Sequence, residues 1–322
     1  MTERIGIIVG WEDTFPSAFI AKINETPGFK AELATIGETR AEGWASPYRV
    51  LVDRLSHEVP YYRFHLKAAA LAGTFVINDP FWWSADEKFF GYSLAAKIGI
   101  AVPRTVMLPM KGYAPSIDPT RSLRNLQYPL EWEKIFDYVK FPAFLKPADG
   151  GGWKNVSRVD NADEFFRDYD ASGQLVLTLQ EFIDFDEYIR CICIGKDFVL
   201  PIKYDPKNRC YIEAGKFMSP ALENRVIEDA RALNHALGYD MNSVEFAVRD
   251  GVPYAIDFTN PAPDMDVRSI LPKHFNIVVD QMAKFCIDSA REGRKNDVKY
   301  AFRSYLDREA NGVASLRPGG LG

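Results

Sequence analysis

The segment FPAFLKPADGGGWKNV, residues 141–156, is the stretch that decides the fold of this chain. It reads as a buried strand that ends on Lys146, then three consecutive glycines, Gly150, Gly151 and Gly152, and then a second strand. A sheet holds a lysine at a strand end in place, so the ammonium group can point at a fixed anion. Glycine has no Cβ and lets backbone N–H groups approach phosphate oxygens closely. We therefore expect a phosphate-binding strand and loop, with a glycine-rich hairpin that carries an incidental lysine as the alternative.

A second lysine, Lys88, lies upstream of the glycine loop in a predicted helix, residues 84–98. The helix follows the segment VINDP, residues 76–80, and Gly99 is its predicted stop signal. Taken alone, Lys88 reads as a solvated lysine on a helix surface. Its distance ahead of the glycine loop favours a second cation that meets the same anion.

The segment LQEFIDFDEYIR, residues 179–190, is a candidate base-binding edge. A strand edge that ends in Glu181, Phe182 and Ile183 offers backbone N–H and C=O groups to an adenine, with the apolar side chains packing on its faces. Glu187 can accept hydrogen bonds from ribose hydroxyls. The alternative is an acidic turn between two strands.

The segment VEFAVRDGVPYAIDFTNP, residues 244–261, reads as a hairpin around the turn Asp250–Gly251. In such a hairpin, Glu245 and Asp257 project from paired strands to the same face. Two carboxylates and the amide oxygen of Asn260 are the hard oxygen ligands that magnesium takes when it also binds ATP phosphates. A lone carboxylate on an apolar strand is costly unless it is paired or bound to metal. The hairpin therefore predicts a magnesium site.

The composition is that of an ordinary globular protein, with 322 residues of which 47% are hydrophobic and 26% charged. A net charge of −5 argues against bulk electrostatic binding to nucleic acid. No run approaches the roughly 18 apolar residues of a membrane span. The four cysteines lack the paired spacing of a zinc site. We expect a cytoplasmic protein of a reducing compartment that binds neither nucleic acid nor membrane.

The order of apolar and polar runs predicts three units and a tail. Alternating strands and helices near the start indicate an N-terminal α/β domain over residues 1–105. A central lobe with the glycine loop follows over residues 106–180, and a C-terminal lobe with the metal hairpin over residues 181–311. Residues 312–322, rich in glycine and proline, are predicted to be a flexible tail. Within the central lobe, the polar stretch 112–129 predicts a loop.

The order of the four segments resembles the ATP-grasp superfamily over roughly residues 5–290. The N-terminal part is similar to glutathione synthetase in its strand 49–52, the segment DRLSHE at 53–58 and the NDP at 78–80. The remainder resembles the ribosomal-protein glutamate ligases and D-alanine–D-alanine ligases in motif order. The resemblance implies an α/β (α+β) ATP-grasp fold, with an N-terminal open α/β pre-ATP-grasp domain and two α+β lobes that clamp the nucleotide.

The resemblance also implies a role for each residue of the four segments. Lys88 and Lys146 would hold the α- and β-phosphates, under a flexible loop that contains Gly150–Gly152. The adenine would be framed by Glu181 and Ile183, with Phe182 between them, and the ribose would be bound by Glu187. The γ-phosphate and the transferred phosphoryl group, or the carboxylate of the acceptor, would be met by Lys203 and Arg190. Magnesium would be bound by Glu245, Asp257 and Asn260.

One departure from the family pattern concerns the metal ligands. The family shows an acidic residue, one spacer and then asparagine, whereas here Asp257 is followed by Phe258, Thr259 and Asn260. Either Asn260 reaches the metal from one residue further along, or Thr259 replaces it.

The implied activity is an ATP- and Mg²⁺-dependent ligase that joins a carboxylate to an amine through an acylphosphate. The substrates would be a small-molecule or peptide carboxylate and an amine, and dimers are common among the similar families. Two alternatives keep the fold: a phosphotransferase that acts on another acceptor, and a non-catalytic ATP-binding regulatory protein.

Four further residues are candidates for contact with the substrate. Arg54, Ser56 and His57 follow a predicted strand at the carboxyl edge, where open α/β sheets bind ligands. Arg268 lies just after the predicted metal hairpin. For each of them a surface salt bridge or a helix cap is the alternative interpretation.

Overall fold

The computed structural model describes residues 2–37, 39–40, 45–81, 87–127, 129–150, 154–212 and 218–297. Gly151 and Gly152 of the predicted phosphate loop and the predicted tail 312–322 lie outside these ranges. Three sheets and eight helices make up the described chain. Within it, no helix has both the length and the apolar composition needed to cross a bilayer.

The first sheet is parallel throughout, with the order β2-β1-β3-β4. Its elements, in chain order, are β1 (Glu3–Ile8), α1 (Thr14–Asn24), β2 (Phe29–Leu33), β3 (Val50–Asp53), α2 (Pro60–Leu71) and β4 (Phe75–Ile77). Every residue of β3 is buried, as expected for a parallel strand that is covered on both faces. Val52 packs on the side of α1, and Leu51 packs on the side of α2. This open sheet matches the expected N-terminal α/β unit.

The second sheet is antiparallel, with the order β5-β8-β6-β7. This part of the chain follows α3 (Lys88–Lys97). Its strands are β5 (Thr105–Leu108), β6 (Ala143–Pro147), β7 (Ser157–Val159) and β8 (Leu177–Glu181), and its helices are α4 (Pro119–Ser122), α5 (Trp132–Val139) and α6 (Ala162–Asp170). Ala143 and Leu145 of β6 are buried in a core that α5 and α6 cover. Because neighbouring side chains on a strand point to opposite faces, Lys146 projects from the face away from that core.

The short helix α4 corrects the expectation of an uninterrupted loop over residues 112–129. The carboxylate of Asp118 accepts hydrogen bonds from the backbone N–H and the hydroxyl of Thr120, at 3.0 and 2.7 Å. These bonds satisfy donors at the start of a helix, so the helix begins at the proline that follows Asp118.

The third sheet is antiparallel, with the order β11-β10-β9-β12-β13. Its strands are β9 (Glu187–Ile194), β10 (Phe198–Asp205), β11 (Cys210–Tyr211), β12 (Met241–Arg249) and β13 (Val252–Asn260). One face packs against α7 (Pro220–Leu237) and α3. The other face packs, together with the first sheet, against α8 (Val267–Glu292), which has a kink at Leu271, directly before Pro272. The third sheet therefore lies between α3 and α7 on one face and α8 on the other.

Helix α3 belongs to the core of the third sheet, although it precedes the second sheet in sequence. Tyr92, Leu94 and Ala95 pack against α7 and β13. Gly91 permits this close approach, since a Cβ there would lie 3.1 Å from Cε2 of Phe258. The domain limits inferred from the sequence stay a prediction. Because α3 packs against β13, Lys88 at the start of α3 lies close to β13.

Candidate functional site

A row of charged side chains crosses three strands of the third sheet. Arg190 on β9 lies opposite Glu245 on β12, which in turn lies opposite Asp257 on β13. Residues that are directly opposite in a sheet share a face, so all three side chains emerge on one side. Arg190 donates to Oε1 of Glu245 at 2.5 Å, and the hydroxyl of Tyr188 donates to its Oε2.

A tight turn and a β-bulge together set the register of this row. The turn between β12 and β13 contains Asp250 with φ 54° and Gly251 with φ 73°. Positive φ at both central residues is the pattern of a two-residue hairpin turn that matches the twist of its strands. The turn pairs Arg249 with Val252, and an extra residue in β13 between the pairs Phe246–Ala255 and Glu245–Asp257 then shifts the register.

Lys88 forms an ion pair with Asp257. Its Nζ lies 3.1 and 3.0 Å from the two carboxylate oxygens, and its side chain is 9% exposed. Burial opposes ionisation of Asp257, but the ammonium groups of Lys88 and Lys146 lower the pKa of this carboxyl below its ordinary value. The structure therefore brings together Lys88 and Asp257, two residues that the sequence placed in separate segments.

Lys146 reaches the same place from the second sheet. Its Nζ donates to the Tyr92 hydroxyl at 2.7 Å, to Oε1 of Gln180 at 2.8 Å and to the Ile256 carbonyl at 3.4 Å. Burial lowers the pKa of Lys146, and the nearby carboxylates of Asp257 and Glu245 partly offset this effect.

The start of the glycine loop is tied to the start of α3. The carbonyl of Ala148 accepts a hydrogen bond from the backbone N–H of Lys88 at 3.0 Å. Gly150 has a φ of 80°, a conformation that glycine adopts without strain. The predicted phosphate loop thus begins directly beside the first turn of the helix that carries Lys88.

A register shift brings Asn260 to the side of the acidic pair. Between the pairs Ser243–Asn260 and Glu245–Asp257, β12 advances two residues and β13 advances three. The extra residue in β13 is a β-bulge, which changes the face that following side chains take. Asn260 lies opposite Ser243. Ser243 is two residues before Glu245 on β12, so its side chain and that of Asn260 lie on the same face as Glu245. The bulge compensates for the additional spacer in the sequence.

The residues present fit a magnesium ion. Glu245 and Asp257 are paired residues whose carboxylates lie on the same face of the sheet. The Asn260 amide oxygen accepts from the backbone N–H of Ala262 at 3.2 Å and has a second lone pair. Across the described ranges, no group of three or more His, Cys, Asp or Glu side chains is arranged to hold a metal. The third protein ligand would have to be an amide or hydroxyl oxygen. The Thr259 hydroxyl is buried and has no hydrogen-bond partner among the described residues.

The predicted base-binding edge connects the second and third sheets. The carboxylate of Glu181 is held by Arg104 at 2.9 Å and by Arg249 at 3.1 Å, and Arg249 belongs to β12. The Phe182 N–H donates to the Pro142 carbonyl at 3.2 Å. Within the described chain, the Phe182 carbonyl and the Ile183 N–H take part in no backbone hydrogen bond. These two groups are the ones an adenine edge would need.

Three other predicted site residues have distinct surroundings. Oε2 of Glu187 is buried without a hydrogen-bond partner among the described residues. The Arg190 guanidinium lies 4.0 Å from the centroid of the Tyr204 ring. Burial opposes its charge, but Glu245 raises its pKa above the ordinary value. Lys203 lies opposite Ile189, whose side chain packs on the α7 face, so strand alternation puts Lys203 on the face away from Arg190. The structure does not bring Lys203 into the charged row.

The four candidate substrate residues separate into two groups. Arg54 is fully buried and donates to the Glu12 carboxylate and to the Pro263 carbonyl at 2.6 Å. Ser56 is buried and bonded to the side chain of Asp53. Both therefore have structural partners.

His57 and Arg268 are closer to solvent. The side chain of His57 is 27% exposed, and burial lowers its pKa. Arg268 donates to the Asp266 carboxylate at 2.8 and 2.9 Å. Arg268 also lines an open cleft of about 400 Å³ with Trp11, Glu12, Asp264, Asp266 and Ser269.

Two residues of the site, Tyr92 and Gln180, were not expected from the sequence. Tyr92 lies four residues after Lys88, on the same face of the helix. Gln180 directly precedes Glu181 in the base-binding segment. The helical spacing was a usable signal for Tyr92, whereas the contact of Gln180 with Lys146 depends on the pairing of β6 with β8.

No protein-family model matches the chain. A curated D-alanine–D-alanine ligase of Ralstonia nicotianae is 23% identical over 176 residues, which is 48% of this chain. The aligned part spans 52% of that relative's length.

Solved structures match more of the chain. An ATP-grasp RimK domain protein of Sphaerobacter thermophilus has a TM-score of 0.64 at 15% identity and covers 88% of this chain and 99% of its own. The D-alanine–D-alanine ligase of Bacillus anthracis complexed with ATP has a TM-score of 0.60 at 16% identity, with coverages of 90% and 98%. The VanG D-Ala:D-Ser ligase of Enterococcus faecalis has a TM-score of 0.64 at 15% identity, with coverages of 90% and 100%. The predicted fold class is thus confirmed, since the chain has the fold of these ATP-grasp structures.

Proposed function

We propose that the chain is an ATP- and magnesium-dependent ligase that joins a carboxylate to an amine. The observation that carries this proposal is the convergence of Lys88, Lys146 and Arg190 on the opposed carboxylates of Glu245 and Asp257. Three cations around two carboxylates suit a polyphosphate that enters with a divalent metal. The similar structures named as D-Ala–D-Ala and D-Ala:D-Ser ligases support a reaction of this class.

In the proposed reaction, an oxygen of the substrate carboxylate attacks the γ-phosphorus of ATP, and the bond to ADP breaks. The amine then attacks the acyl carbon of the resulting acylphosphate. The C–N bond forms, phosphate leaves with the C–O electron pair, and the amine loses a proton. Such chemistry asks the protein mainly for charge neutralisation and in-line positioning.

The described residues would divide this work between them. Lys88, held on α3, and Lys146, held on the second sheet, would neutralise the phosphates. Arg190 would meet the transferred phosphoryl group or the carboxylate of the acceptor. Backbone groups of Phe182 and Ile183 would bind the base, and Glu187 would bind the ribose. Lys203 would reach the γ-phosphate only if the nucleotide extends to the α7 side of the sheet.

Magnesium would be held by Glu245, Asp257 and Asn260, and it would supply charge neutralisation at the phosphates. Asp257 suits this role because its neighbours lower its pKa and keep it ionised. Although Asp257 lies deep in the protein, 41% of its side-chain surface remains exposed, so an incoming ion can reach it.

The proposal is tested by incubating the protein with ATP, Mg²⁺ and pooled amino acids and short peptides, followed by mass spectrometry and a phosphate assay. A ligase produces an amide and one phosphate per bond formed. A stable phosphorylated product would instead establish a phosphotransferase. ATP binding without turnover on any pool would favour a regulatory ATP-binding protein.

The matched variant is Lys146→Met, which removes the ammonium and keeps much of the side-chain volume. It is expected to abolish ATP binding, measured by calorimetry. An unchanged ATP affinity would show that the nucleotide site is elsewhere. Lys111→Met is the control, because Lys111 pairs with Asp170 on the far side of the second sheet.

A further inference from the structure

Tyr92 occupies a central position between the two candidate phosphate-binding lysines. It lies on α3, four residues after Lys88, so the two side chains emerge on the same face of the helix. Lys88 reaches Asp257, and the hydroxyl of Tyr92 reaches the carbonyl of the preceding residue, Ile256, at 2.7 Å. One face of α3 is therefore attached to two consecutive residues of β13.

The direction of each hydrogen bond at Tyr92 follows from the donors available. A tyrosine hydroxyl has one hydrogen. The Ile256 carbonyl can only accept, so the Tyr92 hydrogen is committed to it. The Tyr92 oxygen must then accept from Nζ of Lys146, at 2.7 Å. Burial raises the pKa of Tyr92 above its ordinary value, so the hydroxyl keeps its proton.

This arrangement prepares Lys146 for an anion. An ammonium group has three N–H donors, and here they are directed to Tyr92, Gln180 and the Ile256 carbonyl. The contact with Ile256 is the longest, at 3.4 Å. A phosphate oxygen can replace this contact at little cost, because the Ile256 carbonyl keeps its shorter bond from Tyr92.

We propose that Tyr92 is a positioning residue of the nucleotide site, which holds the Lys146 ammonium beside the Lys88–Asp257 pair. The inference rests on the proposed function, because it assigns the two lysines to the phosphates of a nucleotide. Tyr92 itself touches no phosphate in this arrangement. It acts through Lys146 and couples the second sheet, which carries Lys146, to α3 and β13.

The test uses Tyr92→Phe, which removes one oxygen and retains the ring that packs edge-on against Phe258 at 5.4 Å. Tyr169→Phe is the matched control. Tyr169 is a buried tyrosine on α6, and its hydroxyl also donates to a backbone carbonyl, that of Pro109, at 2.7 Å. Both variants therefore lose a buried hydroxyl of the same kind, but only the first loses a partner of Lys146.

Two measurements separate positioning from simple stabilisation. Calorimetry of ATP binding should show about tenfold weaker affinity for Tyr92→Phe, the loss expected for one hydrogen bond to a charged group, and wild-type affinity for Tyr169→Phe. Competitive acetylation followed by peptide mass spectrometry gives the pKa of Lys146 without any nucleotide. That pKa should be lower in Tyr92→Phe, because an acceptor of the charged form is gone, and unchanged in the control.

The outcomes distinguish the inference from the proposed function. Equal ATP affinity and equal Lys146 pKa in the two variants would overturn the role of Tyr92 while leaving the nucleotide site intact. Wild-type protein that binds no ATP would overturn the proposed function and, with it, the assignment of Tyr92 to a nucleotide site. A weaker affinity together with an unchanged Lys146 pKa would also contradict the inference, since Tyr92 would then act by another route.

Discussion

Glu245 lies directly opposite Asp257 across the β12–β13 pair, yet each carboxylate is held by a different cation. Arg190 is bonded to Glu245, and Lys88 is bonded to Asp257. Like charges directly opposite in a sheet destabilise it, and the two cations remove that penalty. Under the proposed function, phosphates would compete with Asp257 for Lys88, and a metal ion would compete with the cations for the carboxylates.

The pair of Lys88 and Asp257 predicts non-additive changes in stability. Lys88→Met removes the cation of Asp257, which then lies opposite Glu245 without a partner. We expect this variant to lower the free energy of unfolding by about 2 kcal/mol. Asp257→Asn relieves the repulsion, so the double variant should lose less than the sum of the single changes. Urea unfolding of all four proteins measures the coupling. Strictly additive values would show that the Lys88 and Asp257 side chains are not energetically coupled.

Lys146 predicts a pH dependence of stability in alkaline solution. Because burial lowers its pKa below the ordinary 10.5, the unfolded chain binds more protons between the folded pKa and 10.5. The free energy of unfolding therefore rises with pH in that window. Lys146→Met removes this contribution, while tyrosine and cysteine titrations are common to both proteins. The stability of wild type relative to the variant should increase as the pH approaches 10.5, as measured by urea unfolding. A difference that stays constant with pH would contradict the burial of a charged Lys146.

Substitution of Arg54 is expected to cause a large loss of stability, although its position in the sequence suggested contact with substrate. Its guanidinium is fully buried between Glu12 and the Pro263 carbonyl, 5.0 Å from the centroid of the Phe15 ring. Arg54→Met leaves Glu12 without its cation and should destabilise the protein by about 3 kcal/mol in thermal unfolding. Arg268→Met, at a side chain that is 76% exposed, should change stability by less than about 0.5 kcal/mol. If Arg54→Met were as stable as wild type but inactive, a substrate role would be favoured.

The Mg²⁺ dependence of ATP turnover distinguishes Asn260 from Thr259 as the third metal ligand. The bulge places Asn260 on the face of Glu245, so Asn260→Ala should raise the Mg²⁺ concentration for half-maximal ATP turnover by about tenfold. Thr259→Val keeps the shape of a buried side chain whose hydroxyl has no partner in the described chain, and should leave that concentration unchanged. A Mg²⁺ titration of both variants is the measurement. The reverse result would make Thr259 the third ligand.

Features of short range in the sequence led directly to parts of the site. A lysine at the end of an apolar strand, a glycine loop after it and an Asp–Gly turn between two strands are local patterns. Local backbone preferences set them, so the position of Lys146 on β6 and the Asp250–Gly251 turn agree with the structure. The pairing of Glu245 with Asp257 also needs a β-bulge, which the turn pattern does not predict. The order of these patterns also led to the ATP-grasp fold.

Contacts between distant elements were decided by the tertiary structure alone. Lys88 meets Asp257 across 169 positions of sequence, because α3 packs on β13 where Gly91 leaves room. Arg54 is drawn into the joint between the first sheet and the segment after β13, where no local pattern could show that it would be buried. Tyr92 becomes a partner of Lys146 only when the second and third sheets face each other. Periodicity and turn chemistry act within a few residues, whereas these contacts depend on how whole sheets and helices pack.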